Sequence, residues 1–215
     1  MIYISKGKEP ASLTEYKKQK YVSYDGFGDK DAIRENLLQE QGCLCAYCMR
    51  RIDIKHMKIE HWYPEDKLTD VERLDYQNML GVCLGHIEGT RGADDTCDTH
   101  KGNALITVNP MNAATLNTIQ YSPETGEIYA GDDMIQNDID VILNLNSEVH
   151  MLQRNRRDFL KTLKMELRKM QQTGTWNRKM LETMRDKYSQ EDATGRKREY
   201  AGVAIWYLDK RLKKA

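Results

Sequence analysis

The sequence lacks several features that define large classes of proteins. It has no run of about 18 apolar residues, and its first residues show no basic region followed by an apolar stretch. A membrane-spanning helix and a secretory signal are therefore not expected, and a cytoplasmic protein with no membrane partner is predicted. No Gly-x-x-x-x-Gly-Lys-Ser/Thr stretch is present, so the chain is not expected to bind ATP through such a loop. Internal repeats and low-complexity tracts are also absent.

The composition is that of an ordinary globular protein. The chain has 215 residues, of which 40% are apolar and 31% charged, which is enough for one core with an appended helical region. It contains five cysteines. In a cytoplasmic protein, cysteines favour metal binding over disulfides.

The formal net charge of zero hides an uneven distribution. Residues 1–150 carry 15 basic and 25 acidic side chains, whereas residues 151–215 carry 18 basic and 8 acidic ones. The second segment could neutralise the phosphates of a nucleic acid or bind an acidic partner. It could equally be a solvated helix surface or an internal counter-charge for the acidic segment.

Sequence patterns divide the chain into three regions and predict an α+β fold. Residues 1–40 form an N-terminal segment in which the apolar spacing of residues 31–38 predicts a helix. Residues 41–105 hold the chemical motifs, with short strands predicted at Arg50–Asp53 and Lys58–His61 and a short helix from about Cys97 to Gly102.

Residues 106–215 are predicted to form a hairpin followed mainly by helices. Two β-prone stretches at 119–121 and 127–129 flank a Pro/Gly turn. Apolar stripes at helical spacing then predict two core-facing helices. The first stripe is Phe159, Leu160, Leu163, Leu167 and Met170, and the second is Tyr200, Val203, Ala204, Tyr207, Leu208 and Leu212.

Four of the cysteines are spaced as ligands of a structural zinc ion. Cys45 and Cys48 form a Cys-x-x-Cys pair, and Cys83 and Cys97 are predicted to fold back to complete a tetrahedral site. The alternative is that some of them are ordinary buried thiols. Cys43 is predicted to be a packed free thiol.

Between the cysteine pairs lies a carboxylate followed by a histidine, Glu60-His61. A neutral imidazole can take a proton from a water that attacks phosphorus, so His61 is the predicted general base. Neighbouring strand residues point to opposite faces, so a bulge or the end of the strand must let both side chains serve one site.

The second carboxylate of a catalytic metal site is expected on the helix after the last cysteine. Asp98 is the predicted ligand because, with Glu60, it would give two carboxylates to a hard divalent ion such as Mg²⁺ or Mn²⁺. His100 is the alternative ligand. It lies two helix positions beyond Asp98 and faces another direction, so the two residues are alternatives and not partners in one site. Lys101, one turn beyond Asp98, could contact a phosphate or be solvated.

Asn78 is predicted to act through hydrogen bonds from its side chain to the backbone, which would fix a loop and so position His61. An ordinary turn asparagine is the competing interpretation. His56 and His86 are interpreted as surface or loop histidines.

Together these motifs resemble the HNH endonucleases that carry a cysteine zinc staple, in the branch found in Septu and retron anti-phage defence systems (PtuB-like). The resemblance covers about residues 40–160. It rests on Cys45–Cys48, Ile59–Pro64, Asn78–Cys83 and Cys97–Asn103. One departure is Asp98, where common members of the family have His or Asn.

The resemblance implies a zinc-stapled ββα-metal nuclease core with a helical C-terminal region and a partner ATPase of the PtuA-like ABC/SMC type. The sequence is accordingly interpreted as a metal-dependent endonuclease that hydrolyses phosphodiester bonds, with DNA as the favoured substrate and RNA left open. The alternative is a non-catalytic zinc adaptor between nucleic acid and the ATPase. Such a module would need none of Glu60, His61 and Asp98.

Overall fold

The structure, a computed structural model, describes residues 1–171 and 176–214. Its first half contains α1 (Ala11–Tyr16), α2 (Lys30–Gln41), β1 (Met57–His61), β2 (Met79–Cys83) and α3 (Cys97–Lys101). Its second half contains α4 (Ala113–Leu116), β3 (Ile119–Tyr121), β4 (Ile128–Ala130), α5 (Asp133–Asn137), a π-helix (Asp138–Ile142), α6 (Leu152–Met170), α7 (Arg178–Ser189) and α8 (Ala201–Leu212). The mixed helical and small-sheet fold is the one predicted. Residues 172–175 and 215, which belong to the predicted helical region, lie outside the described residues.

Helix α2 leads the chain into the first cysteine pair, as predicted. The Asp29 side chain caps its N-terminus by accepting a hydrogen bond from the backbone N–H of Ala32. Ile33 and Leu37 on one face are buried. The helix ends at Gly42, whose φ of 59° is in the left-handed region that favours glycine.

Strands β1 and β2 form an antiparallel pair in which His61 lies opposite Met79 and Met57 opposite Cys83. The predicted strand at Lys58–His61 is thus confirmed. On the other edge of β2, the Gln41 side chain exchanges two hydrogen bonds of 2.7 Å with the backbone of Gly81. The end of α2 therefore takes the place of a third strand.

The strand predicted at Arg50–Asp53 is wrong. Only Arg51 pairs, through an isolated bridge to Leu44. The intervening chain folds into a tight turn in which Cys45 N–H bonds to Arg50 O and Met49 N–H to Cys45 O. Because these backbone groups bond within the turn, they do not form a ladder with another strand.

The second hairpin, β3 with β4, forms as predicted and is fastened to helix α6 by one buried arginine. The Arg156 guanidinium donates to the carbonyls of Gly126, at the turn, and Leu145 at 2.6 and 2.9 Å, and to the Asn146 side chain at 2.8 Å. These bonds satisfy a charge that would otherwise be costly to bury.

Helices α6, α7 and α8 pack on one another, and α8 also contacts β3. The two predicted apolar stripes face the core, except that Met170, at the last turn of α6, is exposed. Helix α7 was not predicted as a separate element. Buried residues of all three sequence regions join one core, including Leu13, Leu80 and Leu160.

Among residues 1–171 and 176–214, no helix combines the length and the apolar character needed to cross a membrane.

The core-facing stripe of α6 predicts an uneven response to truncation. Leu163→Ala removes a fully buried side chain and is expected to lower the free energy of unfolding by about 2–5 kcal/mol. Met165→Ala on the same helix, whose side chain is 52% exposed, is the control and should change it by less than about 0.5 kcal/mol. Denaturant titration of both variants measures the difference, and equal losses would contradict the packing described.

Candidate functional site

Four buried cysteine thiols converge where the turn after α2, the end of β2 and the start of α3 meet. All four Sγ atoms lie within 4.8 Å of one another. The Cys45–Cys97 and Cys48–Cys83 Sγ distances are both 3.8 Å. A tetrahedral zinc with Zn–S bonds of about 2.3 Å places its sulfurs roughly 3.8 Å apart. The four predicted cysteines therefore lie together, and they could hold a structural zinc ion.

The polar loop between Cys83 and Cys97 is closed at its base, which brings these two cysteines side by side. Gly85 and Thr96 lie against each other, and the Thr96 N–H donates to Gly85 O at 2.8 Å. Any side chain at position 85 would collide with the Thr96 carbonyl oxygen, and Gly85 has a φ of 69°. A glycine is needed here for both reasons.

Arg50 carries positive charge to the cysteine cluster. Its guanidinium donates to Cys48 Sγ and Cys83 Sγ, both at 3.4 Å. Hydrogen bonds from the neighbouring thiols, assisted by Arg50, hold the pKa of the Cys48 thiol well below its usual range. A thiolate is the form that binds metal. Cys43 is half-buried and is not part of the cluster.

A cleft of about 560 Å³ lies beside β1 and α3, and Glu60, His61 and Asp98 all line it. The pairing of β1 continues to His61 with no bulge, so the end of the strand is what lets both neighbouring side chains reach one cleft. Glu60 and Asp98 are close enough that each carboxyl group changes the pKa of the other.

The electrostatics of this carboxyl pair favour a bound cation. Burial, together with the adjacent Asp98, raises the pKa of Glu60 to about 9. Burial alone would raise the pKa of Asp98, but hydrogen bonds from Glu60 and Lys58 outweigh it and hold that pKa below its usual value. Two adjacent carboxylates repel when both are ionised, and a hard divalent ion relieves that repulsion. The donor set thus fits Mg²⁺ or Mn²⁺.

Three further side chains contact the carboxyl pair. The Tyr47 hydroxyl donates to Glu60 Oε1 at 3.0 Å, and Lys101 Nζ lies 2.8 Å from the same oxygen. Lys58 Nζ lies 2.6 Å from Asp98 Oδ2. Lys101 is buried and ion-paired, so of its two alternative interpretations the solvated one does not hold.

His61 is held by bonds to both ring nitrogens. Nε2 lies 2.7 Å from the carbonyl oxygen of Arg73, and since a carbonyl only accepts, Nε2 carries a hydrogen. Nδ1 lies 2.8 Å from Glu65 Oε1. The Tyr24 ring packs edge-on against the imidazole with centroids 4.8 Å apart. A carboxylate also only accepts, so Nδ1 donates to Glu65 in this arrangement, and it could accept a proton only after its own has passed to Glu65.

Asn78 fixes the backbone directly after His61. Its Oδ1 accepts from Tyr63 N–H at 2.8 Å, and its Nδ2 donates to Tyr63 O at 3.0 Å. These are the side-chain to backbone bonds expected of it. They hold the chain where β1 ends, which is the point that directs His61 into the cleft.

Of the two alternative ligands on α3, Asp98 lines the cleft and His100 does not. His100 Nδ1 instead contacts the carbonyl oxygen of Ile142 at 3.0 Å. Sequence reasoning missed Lys58 and Glu65, although both have local signals. Lys58 is two residues before Glu60 on the same strand face, and Glu65 is four residues after His61. Arg73 and Tyr24 reach His61 only through the tertiary fold.

Comparison with known proteins gives one relevant similarity. The chain is 26% identical over 122 residues to a protein of Vibrio cholerae serotype O1 biovar El Tor named "Retron Vc95 putative HNH endonuclease". The match covers 52% of this chain and 58% of that relative, which is less than two thirds of its length. No protein-family model matches the chain. The similarity supports a nuclease of the HNH type at the level of the family.

The cysteine cluster predicts one tightly bound zinc ion per chain. Cys48→Ser or Cys97→Ser is expected to release zinc and destabilise the protein together, because zinc-binding energy is folding energy in such sites. A loss of about 4 kcal/mol would lower the melting temperature by about 10 °C for a chain of this size. Cys43→Ser is the matched control and should change neither property. Zinc is measured by elemental analysis, and a folded, zinc-free wild-type protein would contradict the assignment.

Proposed function

We propose that the chain is a metal-dependent HNH endonuclease that hydrolyses phosphodiester bonds of nucleic acid. The observation that carries this proposal is the convergence of Glu60, Asp98 and His61 in one cleft beside the cysteine cluster. In this proposal β1, β2 and α3 form the ββα-metal core, and the four cysteines hold the zinc staple. A non-catalytic zinc adaptor gives no reason for two carboxyl groups and a histidine to share a cleft.

Glu60 and Asp98 are the proposed ligands of the catalytic Mg²⁺ or Mn²⁺ ion. When bound, such an ion would polarise the phosphate and stabilise the leaving 3′-oxygen. Tyr47 donates to Glu60, so its hydroxyl holds that carboxylate in place.

His61 is the proposed general base, acting through Nδ1. The hydrogen bond from Nε2 to the Arg73 carbonyl fixes the ring, and the edge-on contact with Tyr24 restrains it further. The Glu65 side chain is 41% exposed, so the Glu65 side of the ring is where water can approach Nδ1. Transfer of the Nδ1 proton to Glu65, followed by displacement of that side chain by the water, would leave an unprotonated Nδ1 positioned to take the proton of the water.

Nucleic acid is the proposed substrate class, with DNA favoured over RNA. Among the described residues, the ion pairs made by the segment from residue 151 onward join two members of that same segment, such as Lys187 with Glu166 and Arg185 with Asp209. In the part of the chain that the structure describes, no direct ion pair therefore joins this segment to the acidic one. This supports an external polyanion or an acidic partner.

The biological setting we propose is an anti-phage defence complex in which a PtuA-like ATPase of the ABC/SMC type controls cleavage. Two observations support it: the resemblance of the motifs to the Septu and retron branch, and the retron origin stated in the name of the relative. The chain would be the nuclease subunit.

The proposed activity is tested with purified protein, alone and with its ATPase, incubated with plasmid DNA and total RNA under Mg²⁺ or Mn²⁺. Cleavage that stops when the divalent ion is chelated, while zinc stays bound, is expected. Nucleic-acid binding with no cleavage under any of these conditions would instead favour the adaptor.

His61→Ala is expected to lower the cleavage rate by about 10²–10⁴-fold, the usual effect of losing a general base, while zinc content is kept. His61→Gln should show the same loss, because its amide can donate to the Arg73 carbonyl but does not accept a proton at neutral pH. His56→Ala, which changes an exposed histidine, is the control and should cleave normally. Full cleavage by folded His61→Gln would remove His61 from the mechanism.

Reversing the charges of Arg196–Arg198 to glutamate is expected to weaken binding to nucleic acid or to the ATPase. The loss should shrink as salt rises, because screened charges cause it. Reversal of Lys17, Lys18 and Lys20 makes the same change in net charge in the acidic segment and is the control. Binding is measured by fluorescence anisotropy at low and high salt. Unchanged affinities with reduced stability would mean that the basic residues serve the fold.

A further inference from the structure

Two lysines contact the carboxyl groups that are the proposed ligands of the divalent ion. Lys101 Nζ lies 2.8 Å from Glu60 Oε1 and 3.3 Å from the carbonyl oxygen of His61. Lys58 Nζ lies 2.6 Å from Asp98 Oδ2 and 3.0 Å from the Thr99 hydroxyl. Each of the two carboxyl groups therefore has one ammonium partner.

The two ion pairs differ in burial. The Lys101 and Glu60 side chains are 1% and 4% exposed, whereas that of Lys58 is 41% exposed. Both lysines line the cleft that also holds His61. Each ammonium group is balanced by the carboxyl oxygen that it contacts, which is how the fold tolerates these groups at low exposure.

This balance changes when a divalent ion enters. An ion bound by Glu60 and Asp98 satisfies both carboxylates, so the attraction that holds the two ammonium groups to them weakens. A buried ammonium without an anion is costly. The cleft would then carry two excess positive charges next to the proposed general base, and a phosphodiester is an anion whose oxygen atoms can accept hydrogen bonds from ammonium groups.

We propose that Lys58 and Lys101 are the phosphate-binding groups of the cleft, which exchange the carboxylates for a substrate phosphate when the divalent ion binds. The inference rests on the proposed function, since it takes Glu60 and Asp98 to be the ligands of that ion. Before substrate binds, the lysines compete with the divalent ion for the carboxylates. After substrate binds, they contact its phosphate.

This exchange makes two measurable quantities change in opposite directions. Removing either lysine removes a competitor, so the divalent ion should bind more tightly. Removing it also takes away a phosphate contact, so nucleic acid should bind less tightly. Ion and nucleic acid should in addition strengthen each other's binding, and by linkage each must do so by the same factor. Lysines that only support the fold would not produce opposite signs.

The test uses the full chain carrying His61→Gln, so that binding is measured without turnover. Lys58→Gln and Lys101→Met are compared with Lys55→Gln, an exposed lysine outside the cleft. Mn²⁺ binding without nucleic acid is measured by calorimetry. Binding of a short mixed-sequence duplex DNA, with single-stranded RNA in a parallel arm, is measured by fluorescence anisotropy with and without Mn²⁺.

Each cleft variant is expected to bind Mn²⁺ about three- to tenfold more tightly and to lose about tenfold in affinity for nucleic acid in the presence of Mn²⁺. Lys55→Gln should change neither by more than about twofold. Unchanged or weaker Mn²⁺ binding by folded, zinc-loaded Lys58→Gln overturns the inference, as does tighter Mn²⁺ binding with unchanged nucleic-acid affinity. If Lys101→Met does not fold, Lys58→Gln alone decides, because its side chain is largely at the surface.

Failure of the proposed function is a separate result. It would appear as absence of cleavage by the protein with native His61 and its ATPase, whatever the lysine variants do. Cleavage by that protein with unchanged Mn²⁺ and nucleic-acid binding in the variants would reject the roles of the lysines alone.

Discussion

The meeting of four cysteine thiols is the constraint on which the candidate site depends. Cys83 ends β2 and Cys97 begins α3, so the cluster sets the distance between that strand and that helix. Asp98 is the next residue along α3, so the position of Cys97 also sets the position of Asp98. Tyr47, inside the turn from Cys45 to Cys48, donates to Glu60 on β1. A zinc ion in the cluster would thus position both carboxyl groups of the cleft without touching either of them.

The properties of the cleft depend on the charged side chains that line it, which are partly buried. Glu60 and Asp98 lie close enough for the pKa of Glu60 to rise to about 9, with burial as the largest cause. Lys58 and Lys101 balance them in the present arrangement, and a divalent ion would do so more completely. His61 adds a fixed ring whose Nδ1 faces the Glu65 side chain. Two carboxyl groups, two lysines and a histidine are therefore brought to one cleft by β1 and α3.

The rest of the chain supports these elements in two ways. Helix α2 supplies Gln41 to the free edge of β2, and the N-terminal segment supplies Tyr24 to the ring of His61. The C-terminal helices bury their apolar stripes in the same core, and their ion pairs lie within their own segment.

The sequence by itself determined the group of four cysteines, the strand that carries Glu60 and His61, the start of the helix at Cys97, and the core-facing stripes. These features follow from local spacing and from hydrophobic period, which can be read along the chain. Tertiary structure placed Asp98 but not His100 in the cleft, buried Lys101 against Glu60, and brought Arg73 and Tyr24 to His61. Those contacts join residues far apart in the chain, and their pairing depends on burial and charge balance that no local pattern records.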